Sequence, residues 1–110
     1  MKYEHVGDLA KEDIRRMLSS SCIEDICKAL VSMALYNLDW KESQDVCLKF
    51  LDYNNDNVKS AAITGLCHIA RIHRKLEKEK VLNALEAQRI NRALNGHLDD
   101  AIADIEMYIA

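Results

Sequence analysis

The side chains able to do chemistry in this chain are four histidines, four cysteines, one pair of adjacent aspartates and one short basic run. His68 and His73 lie five residues apart. On a helix of ~3.6 residues per turn that puts them about 140° apart around the axis, so they do not share a face. His5 and His97 are remote from both. No H-E-x-x-H motif, Gly-rich phosphate loop or nucleophile elbow occurs, so no zinc helix, phosphate cradle or acyl-transfer serine is encoded. An enzyme built on His68 as acid or base would need a second group, and none can be named. The expectation is therefore no catalytic residue, no cofactor and no metal ligand set.

Cys22, Cys27, Cys47 and Cys67 contain no C-x-x-C pair, which removes both a zinc knuckle and a thioredoxin-like motif. All four fall within apolar helical patterns, where a free thiol acts as a small core hydrophobe. Asp99 and Asp100 stand in the first turn of a helix, where acid complements the helix dipole. Arg71-Ile72-His73-Arg74-Lys75 is the most basic stretch, but Glu77 and Glu79 interrupt it at once, and cations are favoured in the last turn of a helix. The formal net charge of −3 also argues against a general nucleic-acid binder, whose affinity rests on neutralising phosphates.

The elements that must carry these residues are helical. In 110 residues there is no proline, and the only glycines are Gly7, Gly65 and Gly96. Nothing therefore forbids helix through ring clash or a missing N–H. The turn residues of an all-β chain are scarce. Hydrophobic residues make up 49% of the chain and aromatics 5%, so Leu, Ile, Val and Ala must fill the core. The length is one domain's worth. No apolar run approaches the ~18 residues of a membrane span, and Met1 to His5 begin no signal-peptide core, which predicts a cytoplasmic protein.

Six helices are predicted, at about Asp8 to Ser19, Cys22 to Leu38, Trp40 to Asp52, Asn57 to Lys75, Glu77 to Leu94 and Leu98 to Ile109. Ser21 to Glu24 and Asp39 to Glu42 read as capping boxes, in which each cap oxygen takes an orphan N–H and the glutamate reaches back. Tyr53 to Asp56 is a polar turn, and Asn95-Gly96 is expected to close the fifth helix with a left-handed glycine. Trp40 reads as a partly buried staple against the neighbouring pair. Short connections make consecutive helices antiparallel. The architecture is an all-α superhelix of three pairs, 8–38, 39–75 and 77–109, within one domain spanning 1–110. Registering Ile23, Val58 and Leu98 gives repeat separations of 35 and 40 residues, in the range of helical repeat arrays.

The middle unit carries a family likeness. Val46 to Asp52, a polar turn, then Asn57-Val58-Lys59-Ser60-Ala61-Ala62 and Gly65-Leu66 resembles a HEAT repeat over about Asp39 to Arg71. Lys59 stands where that family commonly has arginine, and the proline often seen in its outer helix is missing. Flanking units match less, as terminal repeats with water-facing sides do. Stacked in this register, the even-numbered helices would line one face. Asp25, Ser60 and Asp100 form one row, Ala29, Thr64 and Asp104 the next, and Met33, His68 and Tyr108 a third, with Tyr36 and Arg71 continuing it. Tyr and Arg are enriched at interface hot spots, and rim carboxylates steer basic partners.

By size, acidity and architecture the chain resembles the small immunity proteins of bacterial toxin–immunity pairs, including those of contact-dependent growth inhibition (CDI) systems. The resemblance implies one-to-one binding of a cognate toxin domain, such as a nuclease, and inhibition by covering its active site. Asp25, Asp39, Asp100 and Asp104 would then face basic residues of that partner. The alternative is a nucleic-acid-binding HEAT-like protein using Arg71, Arg74 and Lys75. A homodimer built on the sixth helix is left open.

Overall fold

A computed structural model of the protein describes residues 11–110. They form six α-helices and no strand: α1 (Lys11–Leu18), α2 (Ile23–Tyr36), α3 (Trp40–Phe50), α4 (Asp56–His73), α5 (Lys78–Ala87) and α6 (Asn95–Tyr108). The start expected for the first helix, Asp8, lies outside the described residues. Helix α4 is the axis of the molecule, packing against α2 on one side and α6 on the other, with α3 across it. Apolar residues recur along each helix at the helical period, and these are the ones that vanish from solvent. Ile26, Leu30 and Ala34 of α2, Val58, Ala62, Leu66 and Ile69 of α4, and Leu98, Ala101 and Ile105 of α6 are completely buried. Each such leucine, isoleucine or valine is worth about 1.5–3 kcal/mol against leaving it in water. Trp40 lies half-buried against this core, as a staple should.

The closest approach is at Gly65. A Cβ there would stand 2.7 Å from Cys47 Sγ and 3.4 Å from the Ala34 methyl, so α4 can settle against α2 and α3 only because the side chain is absent. The caps of this middle hairpin are made by its own residues. Asp39 accepts from the Glu42 N–H at 3.1 Å, and Asn55 accepts from Asn57 and Val58 at 2.9 and 3.1 Å. Glu42 does not reach back to Asp39. It accepts from the Asn37 amide at 2.8 Å, and Asn37 in turn accepts the Asp39 N–H at 3.0 Å, so the box closes through Asn37. Lys59 reaches back to the Leu51 carbonyl at the end of α3 and to Gln88.

Three sequence expectations are corrected. Ser21 does not cap α2: Cys22 is the cap residue, with no side-chain cap bond, and Ser20 Oγ accepts its N–H at 2.8 Å. The fifth helix does not run to Leu94. It stops at Ala87 and continues as two 3-10 turns, Gln88–Ile90 and Arg92–Leu94. Asn91 interrupts them: its side-chain oxygen accepts the Ala93 N–H, and its amide donates to Asp56 at the start of α4. Ile90, which an uninterrupted fifth helix would carry on its apolar face, is 92% exposed as a result. Finally, Asn95 and Gly96 open α6 instead of closing a helix, and no described glycine has a positive φ. The left-handed residue is Arg74, at φ 57° and ψ 29°, which ends α4. A non-glycine residue costs roughly 1–2 kcal/mol in that conformation. The Arg74 guanidinium lies 5.3 Å from the centre of the Tyr108 ring, a cation–π contact that offsets part of this cost.

Candidate functional site

The α4–α6 seam gathers most of the polar residues expected to form a surface. Thr64 Oγ1 and His97 Nε2 are 3.1 Å apart, joining the middle of α4 to the first turn of α6. One turn on, His68 Nδ1 meets the Arg71 guanidinium. Burial, then the adjacent Arg71 charge, holds the His68 imidazole below its ordinary pKa. Cys67 is pushed up to about 11, first by burial and then by the negative charge of Asp104, with Asp100 adding to it and Arg71 opposing. Cys67, His68, Arg71, Asp100 and Asp104 therefore share one electrostatic neighbourhood, and beyond it Tyr108 lies under Arg74. Ser60 is half-buried one turn before Thr64, and Asp104 is half-buried while Asp100 is exposed. Among the described residues neither aspartate forms an ion pair, whereas neighbouring Asp99 is held by Arg89 at 2.7 Å.

The single face expected of the even-numbered helices is not observed: beyond the α4–α6 seam, its α2 residues fall in two separate places. Tyr36 and Asp39 line a groove between α1, the end of α2 and the start of α3, together with Lys11 and Arg15 of α1. Asp25 sits at the other end of α2, in a shallow depression shared with Lys28 and Asn57. The stagger also differs from the register read in the sequence. Contacts between α4 and α6 join residues 33 apart at Thr64–His97 and 34 apart at Arg74–Tyr108, not 40. With Cys67 near both Asp100 and Asp104, 33 and 37 residues on, α6 sits at a shorter stagger against α4 than that register gives. The 3-10 turns before α6 set where it begins. His97, on this seam, was missed, and its place depends on that stagger.

A second polar cluster was also missed. On the outer side Lys41 pairs with Asp45 and with Glu77, both at 3.1 Å, and Lys80 stands 3.7 Å from Glu77. Gln44, completely buried, lies behind them. Its oxygen accepts the Glu77 N–H at 2.7 Å and its amide donates to the Glu77 carboxylate at 2.7 Å. Hydrogen bonds from Gln44 and then Lys41 hold the Glu77 pKa down, and Lys41 does the same to Asp45. The i,i+4 spacing of Lys41 and Asp45 was a usable signal. The Gln44–Glu77 contact spans 33 residues and left none.

The Cys67 thiol stays protonated near neutral pH and is a poor nucleophile. His68 faces a cation. Arg71 and Arg74 are engaged by His68 and Tyr108, so two of the three cations proposed for nucleic acid have partners within the fold. No group of three or more His, Cys, Asp or Glu able to hold a metal occurs among the described residues. No described helix is long and apolar enough to cross a membrane.

No protein-family model matches the chain, and no curated protein matches it. Among solved structures it is similar to a chain in the crystal structure of a CDI complex from Cupriavidus taiwanensis LMG 19424. The TM-score is 0.81 and the identity 26%, over 98% of this chain and 97% of that one. The likeness to CDI proteins expected from size and architecture is borne out, and it extends over the whole fold.

Proposed function

We propose that the protein is the immunity member of a CDI pair: it binds one copy of a cognate toxin domain in the bacterial cytoplasm and blocks that domain's active site. The observation that carries this reading is the whole-length similarity to a chain of a CDI complex. The surface chemistry supports the immunity role over the toxin role. Asp100 and Asp104 offer carboxylates without an ion-pair partner among the described residues, while the nearby Cys67 thiol is held protonated. A toxin that handles nucleic acid must carry a basic surface, and such carboxylates complement it.

The test is co-expression with a CDI toxin C-terminal domain, which the reading expects in the adjoining reading frame and whose absence there would count against it. The wild-type chain is expected to restore growth. Asp100→Lys with Asp104→Lys should fail to do so, because a carboxylate lost from a buried interfacial charge pair costs about 2–5 kcal/mol of binding. Growth arrest by this chain expressed alone would overturn the reading. So would recovery of RNA as its ligand, with affinity falling steeply as salt rises.

A further inference from the structure

Opposite charges at the α4–α6 seam stand close together without meeting. Arg71 of α4 and Asp104 and Asp100 of α6 all act on the Cys67 thiol, the arginine against the two carboxylates. Yet among the described residues neither aspartate has an ion-pair partner, while Asp99 beside them takes Arg89 at 2.7 Å. Pairing with arginine is therefore available on this stretch of α6, and Arg71 stays out of it. Its guanidinium is placed on His68 Nδ1 instead, three residues back on the same helix. Arginine can only donate, so Nδ1 is the acceptor and the ring proton sits on Nε2. Burial and then the Arg71 charge favour that neutral ring.

We infer that His68 is a positioning residue for recognition: by accepting from Arg71 it holds that guanidinium off Asp104 and Asp100, and so leaves both carboxylates open to basic groups of the toxin domain. The inference rests on the immunity reading. An exposed arginine–carboxylate pair gains little, because water screens it and two side chains must be held still. A hydrogen bond to a half-buried ring one turn away on the same helix is enough to outcompete it. Arg71 is exposed and its side chain is long, so without that acceptor it is free to turn toward α6. The carboxylates would then be neutralised from within, and each basic group of the toxin would have to displace Arg71 before pairing.

The experiment titrates the CDI toxin domain expected in the adjoining reading frame into the wild-type chain, His68→Leu, His68→Gln, and His68→Leu combined with Arg71→Gln. His68→Leu should weaken binding by about fivefold, the worth of one exposed ion pair that docking must break. His68→Gln keeps an acceptor oxygen and should bind as the wild type does. Arg71→Gln in the His68→Leu chain should restore the affinity, which loss of the fold or of a direct His68–toxin contact would not allow. The Arg71 side-chain N–H resonances of the free chain give a readout without toxin. Asp104→Asn with Asp100→Asn should move them in the His68→Leu chain and leave them in place where His68 is intact. If the wild type binds and His68→Leu binds as tightly, or Arg71→Gln fails to restore it, the inference fails and the immunity reading stands. Resonances that ignore the aspartates in the His68→Leu chain overturn it too. If the wild type does not bind, both fall.

Discussion

The middle hairpin, α3–α4, and the last one, α5–α6, are held in different ways. Each helix of the middle hairpin is capped by its own side chain, Asp39 or Asn55, and Gly65 lets α4 close onto its neighbours. Neither helix of the last hairpin has a side-chain cap bond at its start. Glu77, the residue that precedes α5, is instead held through its N–H by Gln44 of α3, and two 3-10 turns lead into α6. The middle pair thus supplies order and the last pair borrows it. The borrower also carries Asp100 and Asp104, the carboxylates assigned to recognition.

The sharpest way to break this contrast is through side-chain burial. Leu66→Ala in α4 should cost about 2–5 kcal/mol in chemical denaturation, because it opens a cavity where the three helix pairs meet. Ile90→Ala, in the turn of the last pair, should stay within about 0.5 kcal/mol of wild type. Equal effects would refute the division. Next in size is Gly65→Ala. The added methyl meets Cys47 Sγ, so a loss of about 1–3 kcal/mol is expected, and Cys47→Ala in the same chain should recover much of it. Simple additivity of the two changes would mean that the close approach does not limit packing.

Gln44→Ala tests the borrowed cap. It leaves the Glu77 N–H without its partner and should cost about 1–3 kcal/mol. Amide exchange should quicken first in α5, with α2 little affected. Uniform quickening would contradict the dependence of the last pair on α3. The smallest effect concerns pH. In the folded chain His68 resists protonation because of burial and Arg71, whereas in the unfolded chain it takes up its proton near pH 6.5. Stability from this group is therefore present above that pH and lost as pH falls through it. His68→Gln should make the stability profile flatter between about pH 7.5 and 5.5, and an unchanged slope would contradict the assignment.

Much of the fold was legible because it rests on local rules. Helical spacing of Ile26 and Leu30, Val58 and Leu66, and Leu98 and Ile105 marks α2, α4 and α6 and their buried faces, and Asp39 was found as a cap. What escaped depends on groups distant in sequence or on competition between neighbours. Apolar residues continue to Leu94, so Asn91's capping role was masked by a pattern that runs through it. That error carried into the stagger of α6 and hid His97. Tyr36 was placed in a row with Arg71 from its residue number alone, but its surroundings are set by α1. The Gln44–Glu77 bonds required knowing that α3 and α5 are neighbours before their partnership could be seen.

The decisive measurement is calorimetric titration of the purified chain with the CDI toxin domain that the proposed function expects in the adjoining reading frame. The account predicts saturation at one toxin per chain, with the toxin's activity abolished at that ratio. Absence of binding heat with the toxin still active in equimolar mixture would contradict it.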